Sequence, residues 1–216
     1  LKWEEAVTYN AGFDYGFANN RITGSIDAFY RDTKDLIFEA PVPDGTNFSN
    51  RVYQNIGGFK TRGVELTLNA DVIKNDNFVW NVNFNASKFE RRITETPYHA
   101  DIFVGENIAG TGTPGQIYRE NFTPYSFYVY KQLYDTDGHP IEGAYADLNG
   151  DGIKNNDDRY IYKNPDPDLT MGFASRMNYK NLDFSFNLRA SLGNRIFNGV
   201  AASQAQYALL QNGAAL

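Results

Sequence analysis

The sequence contains no cysteine, which excludes a disulfide framework and a thiolate metal site. It also lacks any apolar run near the roughly 18 to 20 residues that a membrane-spanning helix needs. With a mean hydropathy of −0.52, a helical membrane protein is excluded. Positive charge is in deficit, because 20 Lys and Arg stand against 26 Asp and Glu. The resulting net charge of −6 argues against a nucleic-acid partner.

Histidine is also scarce, and this bears on catalysis. The two histidines, His99 and His139, lie among turn-forming residues, where isolated histidines are usually polar surface groups. Carboxylates are abundant, but the sequence alone places no pair at the separation that a glycosidase requires. We therefore predict that the chain is not an enzyme.

What the sequence does have is a repeated alternation of apolar and polar residues, with 15% aromatic residues. Even positions are apolar and odd positions polar from residue 64 to residue 72, and the same alternation returns over residues 78–87. Side chains alternate faces along a strand, so the pattern predicts two amphipathic strands joined by a tight polar turn. Each strand has about ten residues, which is enough to cross an outer membrane when tilted.

This hairpin pattern occurs three times, over residues 5–31, 60–89 and 169–191. The segments 32–59, 90–125, 131–168 and 192–216 are rich in turn formers, and we predict that they are long external loops. Short turns at one end and long loops at the other are typical of outer-membrane barrels. The predicted fold is all-β, an antiparallel transmembrane β-barrel segment with long extracellular loops, and residues 1–216 form one partial barrel domain.

Charged side chains on the polar faces agree with this prediction. They would be costly in a dry core but acceptable in a water-filled lumen. These residues are Asp14, Asp27, Glu65, Asp71, Arg176, Asp183 and Arg189. A solvated sheet face would also carry them, but it would not explain the uniformly apolar opposite face. The alternative is a soluble calcium-dependent β-sheet glycan-binding module or adhesin, which a detergent-free monomer would favour.

One segment matches the twelve-residue pattern of a calcium loop. Such a loop supplies oxygen ligands from positions 1, 3, 5, 7, 9 and 12, and glycine at position 6 allows the bend. Here the donors would be Asp147, Asn149, Asp151, the carbonyl of Ile153, Asn155 and Asp158. Asp158 replaces the usual Glu, EF-hand helices are not recognisable, and Asp, Asn and Gly also build metal-free turns. We predict a structural Ca²⁺ that orders an external loop.

The order of short motifs resembles the C-terminal barrel region of SusC/RagA-type TonB-dependent transporters. These motifs are Trp3-Glu4-Glu5, Tyr9-Asn10-Ala11-Gly12, Asn20-Arg21-Ile22-Thr23-Gly24-Ser25, Arg31-Asp32-Thr33-Lys34-Asp35-Leu36-Ile37, Asn55-Ile56-Gly57, Gly63-Val64-Glu65-Leu66 and the calcium-loop segment. The resemblance implies a barrel of about 22 strands with an N-terminal plug, in a Gram-negative outer membrane. It also implies import of oligosaccharides or peptides with a SusD-like surface lipoprotein as lid, driven by the TonB complex acting on the plug.

The resemblance covers the barrel alone, so we expect the plug to be absent from this chain and the chain to be a piece of a longer protein. About six or seven strands cannot close a barrel of that size and need further strands beside them. Sugar rings stack on aromatic faces, so exposed loop aromatics are the candidate ligand contacts, although they could equally pack the loops together. The candidates are Phe48, Tyr53, Tyr118, Phe122 and Tyr125.

Overall fold

A computed structural model describes residues 1–41, 45, 48–49, 51–108 and 112–204. The chain divides into two compact units, one of residues 1–100 and 166–194 and one of residues 101–165 and 195–216. The strands of the described residues are β1 (Glu5–Phe17), β2 (Ile22–Lys34), β3 (Ile37–Pro41), β4 (Arg51–Asn55), β5 (Gly58–Lys74), β6 (Phe78–Glu95), β7 (Ile102–Asn107), β8 (Pro114–Tyr118), β9 (Ser126–Tyr130), β10 (Gln132–Tyr134), β11 (Pro140–Tyr145), β12 (Arg159–Ile161), β13 (Leu169–Tyr179) and β14 (Leu182–Leu192).

The first unit is built on a six-stranded antiparallel sheet with the order β1-β2-β5-β6-β13-β14. Strands β3 and β4 form a separate hairpin between β2 and β5. Neighbours in the large sheet follow one another in sequence, except at two places. Residues 35–57 separate β2 from β5, and residues 96–168 separate β6 from β13. The segments predicted as loops therefore contain short strands of their own, and β6 extends further into the second of them than predicted.

Three tight turns, which join β1 to β2, β5 to β6 and β13 to β14, lie at the same end of the sheet, because β1, β5 and β13 run in the same direction. Asn19 and Asn20 adopt positive φ angles of 57° and 61°, a conformation that asparagine tolerates better than most residues. In the second turn, the side-chain oxygen of Asn75 accepts hydrogen bonds from the backbone of Asn77 and Phe78. Local turn chemistry thus accounts for the tightness of these turns, and the two long connections, from β2 to β5 and from β6 to β13, lie at the other end of the sheet.

One face of the sheet is apolar across all six strands. The register aligns one row of residues, Tyr15, Gly24, Leu68, Phe84, Phe173 and Leu188. Large side chains on this face are exposed, for example Phe13 at 66% and Leu188 at 61%. No second layer covers them among the described residues, where the buried hydrophobic residues are Ile93, Ile117 and Tyr128. This face therefore requires an apolar environment outside the chain.

A β-bulge interrupts the alternation in β5 between Asp71 and Ile73. The sequence pattern predicts Val72 as one more residue of a regular alternation. Instead, Asp71 pairs with Asn81 and Ile73 with Trp80, so Val72 is the extra residue. Regular alternation would place Ile73 on the polar face, and the bulge places it instead on the apolar face beside Trp80, just before the turn.

The second unit contains a four-stranded sheet with the order β12-β9-β8-β7 and a two-stranded hairpin, β10-β11. Its small core includes Ile117 at 0%, Ser126 at 2% and Tyr128 at 8% exposure. A short helix, α1 (Gly199–Gln204), follows later in the chain. Within the described ranges, no helix combines the length and apolar character needed to span a membrane.

Candidate functional site

The segment 147–158 forms a compact loop in the second unit, immediately before β12. Its two internal glycines, Gly150 and Gly152, have φ angles of 79° and 76°, so each provides a left-handed bend. The Asp147 carboxylate accepts hydrogen bonds from the backbone of both glycines, at 2.6 and 2.8 Å. Asp151 accepts one from Ile153 at 2.7 Å. The oxygen-bearing side chains therefore already fold inward onto their own loop.

Asp158 closes this loop and is fully buried, with 0% exposure. Its two carboxylate oxygens accept hydrogen bonds from the backbone of Leu148 at 2.8 Å and of Asn155 at 2.9 Å. The hydrogen bond from Asn155 has the largest effect on the pKa of Asp158, followed by the one from Leu148. Together they hold this pKa below its ordinary value, although burial acts to raise it. Asp158 therefore stays ionised and joins the beginning of the loop to its end.

Aromatic rings and cations connect the loop to the neighbouring strands. The Lys154 Nζ lies 4.4 Å from the ring centroid of Tyr145 and 5.1 Å from that of Tyr130. The Arg159 guanidinium lies 5.9 Å from Tyr130 and 4.8 Å from Tyr128. Cation–π contacts of this kind contribute roughly 0.5 to 2 kcal/mol each, depending on desolvation. The second half of the segment and the residue that follows it are thus held by the rings of β9 and β11.

Arg159 is the buried cation of this unit, with 4% exposure. Its guanidinium donates to the carbonyl oxygens of Tyr128, at 2.5 and 3.1 Å, and of Pro114, at 2.6 Å. Burial lowers its pKa. By contrast, hydrogen bonding to Asp101 raises the pKa of Arg119, which lies over the ring of Tyr128. Sequence reasoning misses Arg159, because an arginine within a polar segment resembles a surface residue.

A second group of metal-ligand side chains lies at the tip of the β10–β11 hairpin. Asp135, Asp137 and His139 have ligand atoms within 4.8 Å of one another, and all three residues are exposed. Among the described residues, the four carboxylates of the 147–158 loop do not form such a group. The Asp-Thr-Asp-Gly-His spacing is the signal that could have identified the hairpin group, whereas His139 taken by itself suggests only a polar surface residue.

The five candidate ligand-contact aromatics are divided between the units. Phe48 and Tyr53 belong to the first unit, with exposures of 111% and 63%. Tyr118, Phe122 and Tyr125 belong to the second. There the rings of Tyr118 and Tyr125 meet edge to face, with centroids 4.8 Å apart, while Phe122 is 40% exposed. Of the five candidate aromatics, Tyr118 and Tyr125 are thus in direct ring contact with each other.

The polar face of the six-stranded sheet forms an extended hydrogen-bonding surface. Asn81 donates to Asp71 at 2.6 Å, and Asn83 donates to Asn69 on the neighbouring strand. A cleft of about 370 Å³ on this face is lined by amide, hydroxyl and charged groups. Its polar lining residues are Asn69, Asp71, Asn81, Asn83, Ser175, Arg176, Ser185 and Asn187. Such a surface can bind water and polar solutes, because it offers both donors and acceptors.

Known proteins share this architecture. Residues 1–119 match the family model described as "TonB dependent receptor-like, beta-barrel". The chain is 42% identical over 210 residues to the TonB-dependent receptor SusC of Bacteroides thetaiotaomicron, covering 95% of this chain and 21% of that protein. It is 31% identical to the TonB-dependent receptor P26 of Formosa agariphila, covering 92% and 21%. The chain therefore spans about a fifth of the length of these relatives.

Solved structures agree on the fold. A structure of the RagAB peptide transporter matches with a TM-score of 0.68 at 23% identity, over 88% of this chain and 21% of that chain. A second, the RagAB peptide importer in the "closed-closed" state, matches with a TM-score of 0.70 at 23% identity, over 90% and 22%.

The predicted all-β, transmembrane barrel architecture and the outer-membrane location are confirmed by these matches, and the soluble adhesin alternative loses its support. The exposed apolar face is then the surface that meets lipid, and the polar face lines the lumen. The chain belongs to the TonB-dependent receptor-like β-barrel family, as a barrel segment of the SusC/RagA type.

Proposed function

We propose that the protein containing this chain imports oligosaccharides or peptides across the outer membrane, powered by the TonB complex and assisted by a SusD-like surface lipoprotein. The observation that carries the proposal is the two-faced sheet, apolar and exposed on one side and rich in amides on the other. The identity to SusC supports this class of transporter. The likeness to the RagAB peptide transporter supports peptides as one of the two substrate classes.

The lumenal face suits either substrate. Amide side chains bond sugar hydroxyls and peptide groups equally well, because each amide has two donors and one acceptor oxygen. Arg176 and Arg189 add fixed positive charge on this face, which can orient a carboxylate. The chain therefore supplies barrel wall, lumenal hydrogen-bonding groups and external segments to the proposed transporter.

Uptake by whole cells tests this function. Cells carrying the full-length transporter are supplied with fluorescent oligosaccharides or peptides, and parallel strains lack the transporter, TonB or the lipoprotein. Uptake of at least one substrate class should depend on the transporter and on TonB, and it should weaken without the lipoprotein. Equal uptake with and without TonB would contradict the proposed energy source, and equal uptake without the transporter would contradict the function.

Replacing the five candidate aromatics by alanine should weaken ligand binding to the full transporter by at least tenfold, which is the loss expected if only one or two of the rings stack on ligand at roughly 1 kcal/mol each. The variant changes Phe48, Tyr53, Tyr118, Phe122 and Tyr125 together, and affinity is measured by calorimetry. A control variant carries alanine at three other exposed tyrosines, Tyr98, Tyr134 and Tyr162. Unchanged affinity in the five-residue variant would rule out these rings as ligand contacts.

We further propose that the 147–158 loop binds a structural Ca²⁺, with Asp147, Asn149, Asp151, the Ile153 carbonyl, Asn155 and Asp158 as its ligands. The support is the compact inward fold of the loop and a buried, ionised carboxylate at its last position. Ca²⁺ takes six to eight oxygen ligands, and water would complete this set. The role of the ion is to stabilise the loop.

Terbium, which replaces calcium and luminesces beside tyrosine, provides the measurement. Asp147→Asn/Asp151→Asn keeps one acceptor oxygen at each position but removes two charges, so terbium affinity should fall by about tenfold or more. The matched control, Asp135→Asn/Asp137→Asn, removes the same charge at the β10–β11 hairpin. If only the control variant loses terbium luminescence, the ion binds at the β10–β11 hairpin, and this would contradict the loop site.

A further inference from the structure

A cluster of cations lies where the lipid-facing surface ends. Four exposed residues on the adjacent strands β5 and β6 form it, namely Lys60, Arg62, Lys88 and Arg92, here termed the basic patch. We propose that the basic patch binds the phosphate groups of a phosphorylated glycolipid in the outer leaflet of the membrane. This inference depends on the membrane position of the barrel and is independent of what the transporter imports.

The strand register places the basic patch on the lipid side. In β5, Lys60 and Arg62 continue the even-numbered positions occupied by Val64, Leu66 and Leu68. In β6, Lys88 and Arg92 continue the even positions that include Phe84 and Ala86, and Val64 pairs directly with Lys88. No register shift intervenes between residues 59 and 71 of β5. All four cations therefore point away from the lumen.

The height of the basic patch matches the headgroup region. Along β6, the apolar positions run from Phe78 beside the turn to Ala86, and Lys88 follows. Ten residues of strand tilted by about 40° rise about 25 Å, which is the height of the apolar band in outer-membrane barrels. Short turns lie on the periplasmic side of such barrels, so the basic patch lies at the outer leaflet.

The charge of the basic patch opposes that of the whole chain. Its four cations and Lys34 share this surface with three carboxylates, Glu5, Asp32 and Glu90, in a chain with a net charge of −6. Glu90 accepts hydrogen bonds from Arg62 at 2.7 Å and from Arg92 at 2.6 Å. The Oδ2 atom of Asp32 lies 3.9 Å from the Nζ atom of Lys34. Among the described residues, Lys60 and Lys88 have no ion-pair partner, and this leaves two ammonium groups for an anion.

Aromatic residues beside the basic patch are those of a membrane interface. Tyr30 pairs with Arg62 across β2 and β5, and its ring centroid lies 6.5 Å from that of Tyr9 on β1. Tyrosine concentrates at headgroup level, because its ring is apolar and its hydroxyl group is polar. Cations at this level attract anionic headgroups with about 1 kcal/mol per Lys or Arg. A soluble anion would contact only the basic patch, whereas a lipid would bind the basic patch with its headgroup and the apolar surface below with its acyl chains.

The test measures binding of fluorescent lipid A to the purified full-length transporter in detergent. Lys60→Gln/Lys88→Gln removes the two unpaired ammonium groups but leaves the Arg62–Glu90–Arg92 network intact, so the fold is preserved. Affinity for phosphorylated lipid A should fall by about 30-fold, because each of the two lost cations contributes about 1 kcal/mol of attraction. The matched control, Lys74→Gln/Lys180→Gln, removes two exposed lysines at the turn end and should leave the affinity unchanged.

Two further probes identify the ligand chemistry. Dephosphorylated lipid A should bind about as weakly as phosphorylated lipid A binds the double variant. Inorganic phosphate should compete only at concentrations far above those of the lipid. Equal affinity for both forms of lipid A, competition by inorganic phosphate at the same concentration, or an equal loss in the turn-end control would each overturn the proposal.

Discussion

A single arginine at position 68 is expected to impair assembly of the barrel. Leu68 lies midway along the lipid-facing surface, between Gly24 on one neighbouring strand and Phe84 on the other. Arginine at the midplane of a barrel surface costs about 2 to 4 kcal/mol. That is a large share of a total stability of about 5 to 15 kcal/mol. Leu68→Arg should therefore reduce the folded full-length protein in outer-membrane fractions severalfold.

The neighbouring residue provides the control for this experiment. Asn69 lies on the same strand but points into the lumen, where it lines the polar cleft. Asn69→Arg places the same charge at the same height in water, so it should assemble normally. Folded protein is recognised by its altered mobility on gels without heating. If the two variants assemble equally well, the apolar face does not contact lipid.

Replacing Arg159 by methionine should loosen the second unit by about 2 kcal/mol. Methionine retains the apolar stem but leaves the carbonyl groups of Tyr128 and Pro114 without the hydrogen bonds that the guanidinium donates. Hydrogen bonds to charged groups contribute about 1.5 to 3 kcal/mol each. Burial of the guanidinium has a free-energy cost, which is seen in the lowered pKa of Arg159. Methionine avoids this cost, and part of the lost hydrogen-bond stability is therefore offset.

Hydrogen exchange in the full-length protein measures the effect. Amides of β9 and β12 should exchange about 30-fold faster in Arg159→Met if they open through local unfolding of the second unit. Lys131→Met removes a cation from an exposed position close by and should change little. Unaltered exchange in β9 and β12 would mean that the guanidinium contributes no net stability.

The faces of the large sheet can be predicted from the sequence, whereas the strand order cannot. Alternation assigns residues such as Phe84 and Asn85 to opposite faces, because the period of a strand is two. Alternation carries no information about partners, so it does not predict the pairing of β6 with β13 across residues 96–168. Most short strands of the second unit lie within segments predicted as loops. The run over residues 126–130, which lies between two of those loops, permits a strand, but alternation does not assign its faces because both are aromatic.

The candidate sites show the same division. The calcium loop is recognisable as a candidate because its oxygen donors follow a fixed spacing within one segment. Lys60 and Lys88 could have been noticed, since they continue the apolar positions of their strands beyond the hydrophobic part. Arg159 could not, because its burial depends on Tyr128 and Pro114, which lie far away in the sequence.

The long separation between β6 and β13 also has a consequence for how the chain folds. Each hairpin closes a short turn, so its strands can pair early, whereas β6 and β13 must first close residues 96–168. The entropic cost of closing a flexible loop rises by about 0.6 kcal/mol for each doubling of its length. The bidentate ion pair between Arg91 and Asp166 joins the two ends of this long connection. If the inserted unit folds first, it shortens the flexible part of the connection, and we then expect β6 to pair with β13 at a lower entropic cost than across an unstructured segment of the same length.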